Sequence, residues 1–411
     1  MYPHTENNFM SIKQFLYYFT LAVVLFACSS ESQEETQEMT QNGSMESPDE
    51  STDESDDQSS EDTENIFRGS KYLYSQTDVD ALGAEGYTRI EGELNIERGN
   101  GLDPVTSLVP LSTLKYIGQG FSLNNLSELE QLDGLENLTF IGGYISLKRL
   151  DNLADLNNYP ISTGQNLGIT FSDLPLIREL PNFANYTNVN QVVINRLPNL
   201  EQIDGFHNLI ECKWLAIEDN AKLESIDGFE NLTSSSTQHL LQITGNESLH
   251  SITAFTNYEG GEKTTISIGG NNLNNLDFIS NLTQVEYFLL DQGINDNYTL
   301  LGPFTMLNQV DYIILNDLTI SSLEFSFQNL TTLKELHIKS CPILSEIGGF
   351  ENLSNSPNGE SIRLILEGNI NLSNICSLSN WLTNNPVLYF NTENNAYNPT
   401  LDDILNGDCS N

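Results

Sequence analysis

From about residue 85 onward the chain repeats itself, and a repeating chain has few folds open to it. A short apolar strand recurs. With its second apolar residue as a zero position, that position falls on Leu123, Leu147, Phe171, Ile194, Ile217, Ile243, Ile268, Leu290, Leu315, Ile338 and Leu366. The steps are 24, 24, 23, 23, 26, 25, 22, 25, 23 and 28 residues. Ile96 before the series and Phe390 after it read as two edge rungs. A unit of this size cannot bury its apolar face alone and covers it only by stacking on its neighbours. The 411 residues, which by length suggest several ordinary domains, therefore read as one mainly-β solenoid with about 24 residues per rung. At ~4.8 Å per rung the repeats make a rod on the order of 60 Å.

The interior of a rung is legible. After Ile194, apolar residues follow at Leu197, Leu200, Ile203, Phe206 and Leu209, and after Leu123 at Leu126, Leu129, Leu132, Leu135 and Leu138. Alternation by two belongs to the strand, whose successive side chains face opposite ways. Steps of three belong to a return path of tight turns and 3₁₀ pieces. A helix would need steps of three and four, so long helices on the return path are not expected. Asp133-Gly134, Asp204-Gly205 and Asp227-Gly228 mark corners, with Asp expected to cap its own turn and Gly to accept a positive φ.

Several strands close on Asn, as in Leu215-Ala-Ile217-Glu-Asp-Asn220, Leu241-Gln-Ile243-Thr-Gly-Asn246, Ile266-Ser-Ile268-Gly-Gly-Asn271 and Leu364-Ile-Leu366-Glu-Gly-Asn369. In Leu336-His-Ile338-Lys-Ser-Cys341 the slot holds Cys. A buried amide at a sharp turn can pair backbone groups that would otherwise be orphaned. The pattern resembles the leucine-rich repeat. With segments such as Gly205-Phe-His-Asn-Leu209, Gly228-Phe-Glu-Asn-Leu232 and Gly349-Phe-Glu-Asn-Leu353, it is similar to the receptor L-domains of growth-factor-receptor ectodomains and of flavobacterial (Bacteroidetes) surface lipoproteins. The resemblance covers about residues 85 to 409. It implies a right-handed parallel β-solenoid that presents a ligand, and it carries over no particular ligand site.

The N-terminus reads as a targeting segment. Lys13 precedes an apolar run, Phe15 to Ala27, of 13 residues. That is short of the ~20 needed to span a bilayer, so residues 1–27 are expected to be a signal peptide, and the polar stretch before Met10, odd for a signal, points to Met10 as the start of translation. Leu25-Phe-Ala-Cys28 resembles the lipobox of bacterial lipoproteins, which implies lipid on Cys28, although Phe26 departs from the usual small or β-branched residue. From Ser29 to Ile66 there are 14 acids and no base. Such a segment cannot bury enough apolar surface to offset chain entropy, so residues 28–66 are expected to be a disordered acidic linker. Its Ser-Ser-Glu-Ser-Gln-Glu-Glu start fits either a surface-export signal or a plain spacer.

Net charge is −41, from 57 acidic and 16 basic residues. Phosphate backbones would be repelled, which excludes nucleic acid as a partner. Of the five Cys, Cys341 and Cys212 fall in apolar columns and read as buried thiols. Cys376 and Cys409 bracket the last segment, where the repeat dissolves. A disulfide there would pin a C-terminal cap over the last apolar layer, in an oxidising, exported setting. The expected organisation is therefore a solenoid over 67–375 and a cap over 376–411.

No His-Glu-x-x-His, Cys-x-x-Cys, phosphate loop or nucleophile elbow occurs, so neither an enzyme nor a cofactor is indicated. The Asp residues lack the dense spacing of calcium loops, and no metal is expected. The outward strand residues form the natural binding face. Counting three back from the zero position places Tyr144, Trp214, Tyr287 and Tyr312 on one surface, and counting one back adds Leu289 and Ile314. Exposed aromatics suit sugars or a protein hot spot. The reading is a lipid-anchored binding or adhesion protein of the outer membrane, exposed at the cell surface, with a protein or glycan ligand. The alternatives are a non-catalytic structural surface protein, and an enzyme or accessory subunit of a glycan-processing system.

Overall fold

A computed structural model describes residues 64–101, 103–164, 167–233, 238–291 and 301–411. The signal segment, Cys28 and nearly all of the acidic linker lie outside the described residues.

Fourteen parallel strands, from Lys71–Leu73 to Val387–Glu393, pair in chain order into one sheet. Residues in register lie 22 to 28 positions apart. The zero positions lie opposite one another: Ile96 on Leu123, Leu123 on Leu147, and so on through Ile338 on Leu366. The chain is therefore a leucine-rich-repeat-like parallel β-solenoid. The last rung differs from expectation. Phe390 pairs with Leu364, and the residue opposite Leu366 is Thr392. The apolar signal shifts by two there because no further rung covers Thr392. The first rung, at Leu73, was also not foreseen.

The return path behaves as its steps of three require. Leu129, Leu135, Leu138, Leu200 and Leu209 each donate their N–H to the carbonyl three residues back. Two-residue strands line its far side in a four-stranded and a three-stranded sheet. Gly134, Gly205 and Gly228 take φ of 103°, 130° and 82°. The corner Asp residues bond other side chains: Asp204 pairs with His207, and Asp227 accepts from Ser225. The Gly134 N–H donates to Glu136, while Asp133 accepts from Asn158 and Asp227 from Thr253, both one rung on. A longer carboxylate reaches back to the turn where the Asp points along the solenoid axis.

The Gly-Phe-x-Asn-Leu segments give Phe206, Phe229 and Phe350 to two columns that phenylalanines of other turns complete. Phe183, Phe206, Phe229 and Phe255 are fully buried and stack with ring centroids 4.4, 4.8 and 5.4 Å apart. Phe304, Phe327 and Phe350 form a second stack. Each such ring stabilises the fold by about 1.5–3 kcal/mol through burial. The motif's Asn is exposed and bonds the preceding rung. Asn208, Asn231 and Asn352 donate Nδ2 to the carbonyls of Ala184, His207 and Gln328 at 2.7–2.8 Å.

The strand-end asparagines form a buried ladder. Leu197 N–H donates to Asn220 Oδ1 at 3.0 Å, Asn220 N–H to Asn246 Oδ1 at 3.0 Å, and Asn246 N–H to Asn271 Oδ1 at 3.1 Å. Each Nδ2 turns back to a strand carbonyl, that of Ile194, Ile217 or Ile243. A second run links Cys341 N–H to Asn369, Asn369 to Asn395 and Asn395 to Asn398.

Both ends are capped. The helix Gln76–Ala84, N-capped by Ser75, buries Val79 and Leu82 against the segment around Pro110. A Cβ on Gly83 would stand 2.3 Å from the Pro110 carbonyl oxygen, so only glycine allows this approach. The repeat pattern gave no hint of this helix, because it lies before the first full rung. At the other end, Trp381 on the helix Ser379–Asn384 is fully buried and donates to Leu333 O at 3.0 Å. Cys376 and Cys409 are joined, with Cα atoms 4.9 Å apart. Cys212 and Cys341 are buried and free.

Candidate ligand-binding face

Strand alternation turns every second side chain away from the core, and the parallel register lines these up from rung to rung. One row runs Gly120, Tyr144, Gly168, Gln191, Trp214, Leu240, Thr265, Tyr287, Tyr312, Glu335, Arg363 and Tyr389, each opposite the next. A second runs Asn95, Ser122, Ser146, Thr170, Val193, Ala216, Gln242, Ser267, Leu289, Ile314, His337 and Ile365.

The structure places Tyr144, Trp214, Tyr287 and Tyr312 in one row, half-buried, but brings only two of them together. Tyr287 and Tyr312 stack with centroids 4.4 Å apart and planes 6° from parallel. Ile314 is half-buried beside them, whereas Leu289 is only 2% exposed and contributes no surface. The expected apolar patch of four side chains is therefore a tyrosine stack flanked by one isoleucine, because Leu289 is buried.

The strand geometry also sets how the rings lie. A Cβ on Gly120 would stand 2.2 Å from Tyr144 Cε1, 2.3 Å from Cζ and 2.7 Å from Cδ1. The ring thus lies flat across the neighbouring strand, and its hydroxyl reaches Asn95 Oδ1, two strands away, at 3.4 Å. Burial, with Glu93 nearby, pushes the Tyr144 phenol up to about 12.

A groove of about 690 Å³ adjoins the tyrosine stack. Its walls include Glu262, Lys263, Glu286, Gln309, Asp311 and Asn358. Glu286 and Asp311 directly precede the two tyrosines. Burial raises both carboxyls above their usual range; Asp311 adds repulsion at Glu286, and Glu360 at Asp311. Lys334 pairs with Glu360 and lies 5.6 Å from the Tyr312 ring centroid. Among the described residues no three His, Cys, Asp or Glu gather as a metal site. One rung on, Glu335 is engaged by His337 and, at 3.6 Å, by Arg363. Burial works to raise the Glu335 carboxyl, but the hydrogen bond from His337 and the nearby Arg363 charge hold it below its usual range.

Sequence reasoning missed Tyr389, which is 38% exposed and ends the row, with the Arg363 guanidinium 5.5 Å from its ring centroid. The two-residue shift at Phe390 hid it: counted from Thr392, three back is Tyr389. The groove acids were missed because they stand four before the zero position, outside the alternation.

Of the structural turn residues, Asn220, Asn246, Asn271, Cys341 and Asn369 all sit in the two ladders.

No protein-family model matches the chain, and no curated protein matches it. Among solved structures it is similar to a chain in the crystal structure of the TLR13–ssRNA13 complex, with 13% identity and a TM-score of 0.36. The match covers 83% of this chain and 57% of that one.

Proposed function

We propose that this chain is a non-catalytic surface binding protein of the receptor L-domain type. Lipid on Cys28 holds it to the outer membrane, facing outward, and the outward row of its sheet receives a protein or glycan ligand. The observation that carries this reading is the Tyr287–Tyr312 stack beside a polar groove, on a row that stays in register across the sheet. Half-buried aromatics offer contact area at little cost in side-chain entropy. The lipobox-like Leu25-Phe-Ala-Cys28 and the acidic run behind it support the anchor and spacer.

The experiment is a glycan and protein array probed with the whole chain in detergent. Binding should fall in Trp214→Ala and Tyr312→Ala while circular dichroism stays unchanged. A ligand whose binding neither substitution alters would refute the face. For the anchor, Cys28→Ser should release the protein from the membrane fraction, and mass spectrometry showing unmodified Cys28 in the native protein would overturn it.

A further inference from the structure

The caps cover the core at each end but leave the edges of the sheet unpaired. Strand Lys71–Leu73 begins the sheet and strand Val387–Glu393 ends it, and among the described residues neither has a neighbour on its outer side. A bare edge offers its free N–H and C=O groups to another strand, and proteins blunt it with lysine, proline, a bulge or a covering element. The last strand, Val-Leu-Tyr-Phe-Asn-Thr-Glu, holds neither lysine nor proline. Ile362 pairs with Val387 and Arg363 with Tyr389, so Leu388 is an extra residue, and the strand runs regularly from Tyr389 to Glu393. The first strand does hold a lysine, but its ammonium is drawn onto the Phe67 ring of its own rung, 3.9 Å from the centroid.

The exposed apolar side chains gather at these two ends. Of the 13 large ones that stand in solvent among the described residues, Ile66, Tyr72 and Tyr74 lie at the first rung and Leu388, Tyr389 and Leu405 at the last. Scattered singly they would need no explanation, whereas a concentration marks a contact surface. The ends also differ in charge. From Gly368 onward there are four acids, Glu393, Asp402, Asp403 and Asp408, and no Lys, Arg or His. Residues 64–75 hold Arg68 and Lys71 against Glu64, and Arg89 stands in register with Ile66. The acidic run before Glu64 joins this end, and its repulsion is screened beyond ~8 Å at physiological ionic strength.

We propose that the last strand of one copy receives the first strand of another, so that the solenoid continues head to tail into a second copy of this chain. The edge zero positions are Leu73, opposite Ile96, and Thr392, opposite Leu366. Carrying the register one step further sets Lys71–Leu73 of the second copy beside Phe390–Thr392, clear of the bulge and at one strand spacing, ~4.8 Å. Strand direction is preserved, and the end that holds only acids meets the end that holds Arg68 and Lys71. Like ends match less well: two last strands bring acids against acids, and two first strands offer three residues each. A contact between unlike ends does not close on itself, so copies add in a line. This contact is separate from the ligand-binding face, and either reading can fail alone.

The test is sedimentation of the whole chain in detergent at physiological salt over a range of concentrations. The average mass should rise with concentration and pass beyond a dimer. Leu388→Lys places a base at the end that meets bases, and Tyr72→Glu places an acid at the end that meets acids. Both side chains are exposed, 71% and 54%, so circular dichroism should not change. Each variant alone should associate about tenfold or more weakly than the parent. An equimolar mixture of the two should form a one-to-one dimer and stop there, because one sound end of each kind survives. Ile343→Lys, at an exposed side chain in the body of the solenoid, should associate as the parent does. A parent mass that stays monomeric at every concentration would overturn the proposal. So would association that survives in either variant alone, since Tyr72→Glu pairing by itself means that two last strands meet. A mixture no more associated than its components would overturn it as well.

Discussion

The buried amide ladder offers a sharp test of what holds the rungs in register. Asn246 is fully buried. Its Oδ1 accepts from Asn220 N–H and Nδ2, both at 3.0 Å, and its Nδ2 donates to Ile217 O at 3.0 Å and Asn271 Oδ1 at 3.1 Å. Asn246→Ala removes both sides at once. The Asn220 N–H is left buried and unpaired, the Ile217 carbonyl loses one donor, and Asn220 Nδ2 and Asn271 Oδ1 each lose one of two partners. At about 1 kcal/mol for each of the four lost bonds, the cost comes to about 4 kcal/mol. Asn208→Ala provides the control, since Asn208 makes an equally short bond to Ala184 O but stands in solvent, where water replaces it. That change should cost less than ~1 kcal/mol. Because rungs couple mainly to their neighbours, global melting would blur the difference. Hydrogen exchange reads it locally, and the Asn220 amide in Asn246→Ala should lose about a thousandfold of protection, corresponding to ~4 kcal/mol. If Asn246→Ala and Asn208→Ala prove equally mild, the ladder is a by-product of the turn and not what secures it.

Three further outcomes are expected. Cys409→Ser opens a loop with a sequence separation of 33. It should cost about 4 kcal/mol and expose the Trp381 helix to protease while the central rungs stay protected; an unchanged protease map would contradict this. Gly120→Val should lift the Tyr144 ring off the sheet and bring its phenol back down from about 12, which a spectrophotometric titration would show or deny. By proton NMR, His207, hydrogen-bonded to Glu230 and near Asp204, should titrate above its ordinary value and buried His239 below it. The His207 contribution is therefore complete below pH ~6.5 and lost as pH rises through its folded value, whereas that of His239 is present above pH ~6.5 and lost as pH falls. Reversed titration order would refute both environments.

The fold was legible where one residue type does one job in every rung. Ile194, Ile217 and Ile243 announce the core column by alternation, and Leu200 and Leu209 announce the turns by threes. The outer rows followed by counting, because parallel register carries an offset unchanged from strand to strand. Legibility ended where neighbours end. The Gln76–Ala84 helix and the Thr392 rung lie at the two edges, where no stacked partner imposes the repeat. It ended also where exposure is settled by tertiary packing: the position of Leu289 could be counted, but its burial could not. The exposed motif asparagines were visible as letters, yet their bonds to the preceding rung have no local signature.

The two amide runs are separated by a stretch without them. Among the described residues the first ends at Asn271 and the second begins at Cys341, and between them Leu318 fills the slot. Runs of directional bonds parallel to the axis resist extension, since every rung must break them to part from the next. Where the slot holds an apolar side chain, packing alone resists at that column, and packing yields progressively. Pulled from its ends, the solenoid should open first at the rungs whose slot is apolar, those of Leu126, Leu150 and Leu174 and that of Leu318, and hold longest along the two amide runs. Tension would then reach the rungs of Tyr144 and Tyr312 before it reaches the amide-bonded ones.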